Sequence, residues 1–200
     1  KSLNIVDGKG VGTFGSGGAI VTYAGTTLKV INSTISGSHS DQAGGAIAGF
    51  DRVDLVNSTL FGNDAGVEGG AIFVGNAATL AMVNTTITGN TLFKRPVGDL
   101  LPDEITGYGG GLDHRGTGNV VIVNSTITNN TALKAGGGYS SGQGYTPLEP
   151  LTEAWPFRTH LLNTVIAGNS VAGKPDNCHV SSMVIVSDGH NLANDRSCFL

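Results

Sequence analysis

Charge is scarce in this 200-residue chain: Asp, Glu, Lys and Arg together make up 13% of it, and aromatic residues only 6%. With a net charge of -4 there is no basic surface to neutralise a phosphate backbone, so nucleic acid is not an expected partner. No run approaches the roughly 18 consecutive apolar residues of a membrane-spanning helix. Lys1 opens no signal sequence of charged and then apolar residues, so the chain reads as a mature, soluble piece of a longer protein. The five His, at 39, 114, 160, 179 and 190, lack zinc-ligand spacing, and no phosphate loop or Gly-x-Ser-x-Gly element occurs. No metal or cofactor is expected. Cysteine is limited to Cys178 and Cys198. A bridge between them would add about 3 kcal/mol by the chain-entropy estimate; two buried free thiols are the alternative reading.

What is abundant is glycine, 32 residues, beside 39% hydrophobic residues, enough for a continuous core. The glycines fall in a repeat: Gly17-Gly18-Ala19-Ile20, Gly44-Gly45-Ala46-Ile47, Gly69-Gly70-Ala71-Ile72, Gly110-Gly111-Leu112 and Gly137-Gly138-Tyr139. A second signature follows each, centred on Asn32, Asn57, Asn84, Asn124 and Asn163, as in Val30-Ile31-Asn32-Ser33-Thr34-Ile35. The second glycines are 27, 25, 41 and 27 residues apart and the asparagines 25, 27, 40 and 39, a unit of about 26 residues twice interrupted by an insertion.

Two and four positions before each Asn the residues are nearly all apolar, while the third varies (Lys29, Asp54, Ala81, Val121, His160), which is the period of a strand. The runs are short, β-branched and bounded by Gly, Asn and Ser. About 26 residues accommodate three strands and three bends, and units stacked at about 4.8 Å let each strand pair with its counterpart in the next coil. The expected fold is therefore all-β, a right-handed parallel β-helix with three faces. The Asn column belongs at a corner, where Asn tolerates the left-handed backbone and its amides can form a ladder turned into the bend. That placement makes glycosylation of the sequons at Asn32, Asn57, Asn84 and Asn124 unexpected. A second column is expected six positions on, at Asn63, Asn90, Asn130 and Asn169, with Ser38 in the first coil.

The Gly-Gly-Ala-Ile element, preceded by segments such as Phe61-Gly62-Asn63, resembles the repeats of chlamydial polymorphic outer membrane proteins and, more broadly, β-helix passengers of bacterial surface proteins. The Asn-Ser-Thr-Ile coils are similar to the repeat region of choice-of-anchor type exported proteins, and the tail from Asn163 to Cys198 to the segment that closes the β-helix there. The resemblance implies an exported, cell-surface or secreted protein.

Solenoids carry function on loops that break the repeat. The whole chain reads as one β-helix domain, with insertions at about 91–108 and 140–158 and a closing segment at about 170–200. The insertions flank the strand after the Gly pair on opposite sides, so Tyr145 and Trp155 are candidate groove residues. In the first outward column after the Gly pair, Val21, Ala48, Phe73, Asp113 and Ser140, there is one acid and no pair, which argues against a polysaccharide lyase or hydrolase. The cluster Asp113-His114-Arg115 gathers three ionisable side chains on one expected strand, and Asp103, Glu104, Glu149 and Glu153 could approach it from the insertions, which makes Asp113 and Arg115 candidate binding residues. Alternation sends both outward onto a solvated face and His114 inward. Tyr23, Phe50 and Phe73 make an outward apolar strip that something should cover. Three functions follow: a non-enzymatic adhesion or structural module that binds a surface glycan or protein, a carbohydrate-active solenoid enzyme, and a fibre or sheath subunit associating through its coil ends.

Overall fold

In the computed structural model, the described residues are 2–11, 16–94, 106–142, 158–181 and 184–200. They form a parallel β-helix in which every coil passes through four faces. Face A contains Asn4–Val6, Thr34–Ser36, Thr59–Phe61, Thr86–Thr88, Thr126–Thr128, Val165–Ala167 and Leu192–Ala193. Face B is made of two-residue strands, from Lys9–Gly10 through His39–Ser40, Asp64–Ala65, Thr91–Leu92 and Thr131–Ala132 to Ser170–Val171 and Lys174–Pro175. Face C runs from Ile20–Thr22 through Ile47–Gly49, Ile72–Asn76, Leu112–Gly116 and Tyr139–Ser141 to Cys178–Val180. Face D runs from Thr27–Ile31 through Arg52–Val56, Thr79–Val83, Val120–Val123 and Arg158–Leu162 to Val184–Ser187. Pairing is parallel throughout, except where Val171 and Lys174 close an antiparallel hairpin. Thr59 pairs with Thr34, 25 residues back, and with Thr86, 27 on; Thr126 then lies 40 beyond Thr86, and Val165 39 beyond Thr126.

Four faces replace the expected three because face B is too short to show a period of two. It hides between two corners that sequence reading merges into one bend.

Each of the D-to-A and A-to-B corners is a two-residue device. A left-handed residue turns the chain, and the next residue points a polar group inward. At the D-to-A corner the left-handed residues are Asn32, Asn57, Asn84, Asn124 and Asn163, with φ from 49° to 51°. Their amides stack as a ladder: Asn57 Nδ2 donates to Asn32 Oδ1 at 3.0 Å, Asn84 to Asn57 at 3.0 Å, and Asn163 to Asn124 at 2.8 Å. This ladder is exposed, contrary to the inward assignment. The left-handed backbone breaks the alternation, so the following hydroxyls, Ser58, Thr85, Ser125 and Thr164, take the inward position instead. The sequon asparagines are therefore not hidden in the bend.

At the A-to-B corner Gly37, Gly62, Gly89, Asn129 and Gly168 are left-handed, and the inward residues are Ser38, Asn63, Asn90, Asn130 and Asn169. These are almost fully buried. Asn63 Nδ2 donates to Asn90 Oδ1, Asn90 to Asn130, and Asn130 to Asn169, each at 2.9 Å. Each Oδ1 also accepts the backbone N–H of the residue below it, as Asn130 Oδ1 does from Asn90 N at 3.0 Å.

The tube is filled by aliphatic columns such as Val53, Leu80, Val120 and Leu55, Met82, Ile122, Leu161, all buried. Each such Leu or Ile contributes about 2 kcal/mol by burial. The Gly repeats form a column without Cβ atoms. A Cβ on Gly18, Gly45 or Gly70 would lie 2.1 Å from the carbonyl oxygen of Gly45, Gly70 or Gly110 respectively. Gly70 thus aligns with Gly110, one position earlier than the pairs read from the sequence, because Gly111 and Gly138 occupy the place of Ala71.

The C-terminal segment closes one end of the tube. Cys178 and Cys198 form a disulfide, and both are buried in the main core. Asn177 continues the inner ladder, accepting from Asn169 Nδ2 at 2.9 Å and donating through Nδ2 to Asn194 Oδ1 at 2.8 Å. Ser197 Oγ accepts from the backbone N–H groups of Asn177 and Cys178, at 3.0 and 2.9 Å.

Candidate functional site

The outer wall of face C collects the charged residues singled out by sequence. Its outward column is Val21, Ala48, Phe73, Asp113, Ser140 and His179. This column does not face open solvent. Before each face C strand the chain folds back over the wall, and Ala43, Glu68, Tyr108 and Ala135 bridge one another in a parallel column of their own. The fold-back needs left-handed glycine: at Gly69, φ 60°, an added Cβ would lie 2.2 Å from the Ile72 carbonyl oxygen.

In the first coils the space under this column is apolar. Ala43, Ala48 and Phe73 are buried together, with Val21 and Phe50 against them, and the Phe50 and Phe73 rings meet edge to face at 5.7 Å. The chain itself thus covers Phe73 and half-buries Phe50, while Tyr23, 70% exposed, stands outside.

In the middle coils the same space holds ions. The Arg115 guanidinium contacts the Glu68 carboxylate, and its Nε lies 3.3 Å from Asp113 Oδ2. Asp113 is fully buried, and the side chains of Glu68 and Arg115 are 8% and 15% exposed. The expectation of a solvated Asp and Arg is therefore overturned. Alternation correctly turns Asp113 out of the tube, but outside the tube is another layer of chain. Glu68 supplies the second acid that the outward column lacks. Its signal was available, since Glu68 immediately precedes Gly69-Gly70 and so occupies the fold-back column.

Burial pushes the Asp113 carboxyl up to about 6, against the opposing pull of Arg115, Ser140 and Glu68. Glu68 is raised well above the ordinary carboxylate range, first by burial and then by the Asp113 charge. The two carboxyls titrate as a pair beside the Arg115 guanidinium. Chemically the group can share protons within itself and brace two adjacent coils. A general acid or base must reach a substrate atom, and Asp113 has no accessible surface to do so.

His114, turned inward as alternation requires, is fully buried among core residues, and burial lowers it to about 4, so it is neutral. Beside its column, the buried Tyr139 hydroxyl hydrogen-bonds Thr159 at 2.5 Å, and burial pushes that phenol up to about 12. A second ionic group lies on face B. His39 Nδ1 sits 2.6 Å from Asp64 Oδ2 and Nε2 3.1 Å from Asp41 Oδ1, with the Phe93 ring stacked on the imidazole at 4.9 Å. Partial burial lowers His39, but the hydrogen bonds to Asp64 and Asp41 outweigh it and raise the imidazole.

Tyr145 and Trp155 lie outside the described residues, as do the acids at 103, 104, 149 and 153. Residues 95–105 and 143–157 of the two expected insertions also lie outside the described residues, while Thr91–Leu92 and Tyr139–Ser141, at the edges of the expected bounds, are in strands. Among the described residues, no group of three or more His, Cys, Asp or Glu is placed to hold a metal ion. No described helix is long and apolar enough to cross a membrane.

Comparison with protein families, with curated proteins and with solved structures finds no significant match to this chain. The functional reading therefore rests on the β-helix, its Asn ladders and its disulfide.

Proposed function

We propose that this chain is a non-enzymatic structural and adhesion module of an exported or cell-surface protein, a rigid solenoid that presents loops to a partner. One observation carries the reading: Glu68 and Asp113, the two acids gathered on the outer wall of face C, are walled in by the chain and held on Arg115, where no polysaccharide can reach them. Buried in this way they brace coils. The Cys178–Cys198 bridge is compatible with an oxidising, exported setting, and the likeness of the repeats to bacterial surface β-helices points the same way.

The test is a reducing-end assay on neutral and acidic polysaccharides, run beside E68Q and D113N variants. No cleavage is expected from any of them, and both variants should lose stability. Cleavage by the native chain that E68Q or D113N abolishes overturns the reading in favour of a carbohydrate-active enzyme.

A further inference from the structure

Face A differs from the rest of the surface in having no ionisable side chains. Residues 32–37, 57–62, 84–89, 124–129 and 163–168 contain no Asp, Glu, Lys, Arg or His. At the first coils this face holds a groove of about 480 Å³, lined by Leu3, Asn4, Asn32, Thr34, Ser36 and Phe61 together with Ser2. That volume lies within the range of about 300–1,000 Å³ typical of small-ligand sites.

Three features of the lining point to a ligand. Phe61 is 45% exposed in an outward column where its neighbours, Ser36 and Thr88, are smaller and polar, so it puts exposed aromatic surface beside the groove. The side chains of Asn4, Thr34 and Ser36 make no hydrogen bond to any described residue. The outer ladder also ends here. Asn32 Oδ1 accepts from Asn57, but its own amide N–H groups have no described acceptor, because Ser2 stands where the ladder's next amide would be. The nearest acid along the chain, Asp7, sits at the following corner opposite Gly37 and does not line the groove.

An aromatic face beside unpartnered amides and hydroxyls, with no charge, matches the surface of a neutral sugar: C–H groups on one side of the ring and hydroxyls around its edge. We propose that this groove binds a neutral glycan, with Phe61 stacking on a sugar ring and Asn4, Asn32, Thr34 and Ser36 hydrogen-bonding its hydroxyls. The proposal rests on the non-enzymatic binding reading above and names the ligand class. The uncharged lining disfavours uronate- or sialate-bearing chains, which would lose hydration without gaining a cation.

The experiment uses immobilised neutral gluco-, manno-, galacto- and N-acetylglucosamine oligosaccharides beside uronate- and sialic-acid-bearing ones. The chain should retain at least one neutral class, with affinity insensitive to salt because no ion pair is involved. F61T matches the Thr of the next coils and keeps the fold, and N32G keeps the left-handed corner while removing the amide. Each should weaken binding roughly ten-fold or more while the protein stays folded, F61T with an unchanged melting temperature and N32G with the small loss of one exposed ladder bond; T126V, far along the same face, should not weaken it. The proposal is overturned by no neutral binding, by retention of acidic glycans alone, by affinity that survives both variants, or by a self-association that F61T disperses. Absence of binding together with absence of cleavage removes this site and leaves the non-enzymatic reading standing. Cleavage of a bound neutral glycan removes that reading and not the groove.

Discussion

Two asparagine columns run along the same tube, six residues apart in sequence, and they do different work. The inner one is hydrogen-bonded without a break from Asn63 to Asn177, the outer one in two stretches, Asn32 to Asn84 and Asn124 to Asn163. In the outer ladder each Asn supplies the backbone: it is there because φ near 50° is tolerable to Asn, and its amide hydrogen bonds lie in solvent. In the inner ladder each Asn supplies the side chain, while the left-handed turn is left to a preceding Gly or Asn129. Inner amides bond two neighbouring coils and a carbonyl, as Asn90 Nδ2 does to Asn130 Oδ1 and to Leu60 O. One residue type thus meets a conformational need at one corner and a desolvation need at the next.

Substitutions can break this contrast. Asn90→Leu takes away the acceptor of the Asn63 backbone N–H and of one of its amide N–H groups, leaving only the amide bond to the Ile35 carbonyl, and should lower unfolding free energy by about 4 kcal/mol in urea titration. The inner ladder ends on the cap tied by the disulfide, so reduction, or Cys178→Ser with Cys198→Ser, should cost about 3 kcal/mol and lift hydrogen-exchange protection first around Asn169 and Asn177. Asn84→Ala, in the outer ladder, should cost about 1 kcal/mol, and Asn84→Gly less, since glycine keeps the turn. If Asn84→Gly costs as much as Asn90→Leu, the two ladders are equivalent and the distinction fails.

Buried and exposed ionic groups repeat the contrast on the pH axis. Asp113 and Glu68 hold their protons more tightly folded than unfolded, so their contribution is full below about pH 4 and falls as pH rises through about 6. Melting temperature should drop across that window, and Asp113→Asn should flatten the slope. His39, raised and one-third exposed, adds a smaller loss on the same alkaline side, present below its unfolded value near 6.5 and gone above its folded one. His39→Gln removes that component alone.

Much of this was legible in the sequence. The columns through Asn32 and Asn63, the strand period and the Gly repeats depend on local spacing, and local spacing is what a solenoid repeats. What escaped was parity and depth. Alternation counted through Val30 and Ile31 places Asn32 inside, but a left-handed residue resets the count, and Ser33 turns inward. Alternation also placed Asp113 outside the tube correctly, yet burial there depends on the fold-back carrying Glu68, 45 residues earlier in the chain. Phe61 was passed over because it sits in a repeat motif. Its meaning comes from its coil neighbours, Ser36 and Thr88, being small.

The bridge between Cys178 and Cys198 is also a local mechanical lock. It ties the segment around Cys198 to the face C strand Cys178–Val180, so that segment cannot be pulled off the coil it covers while the bridge holds. Whichever coil opens first under load, residues 178–198 stay a closed covalent loop.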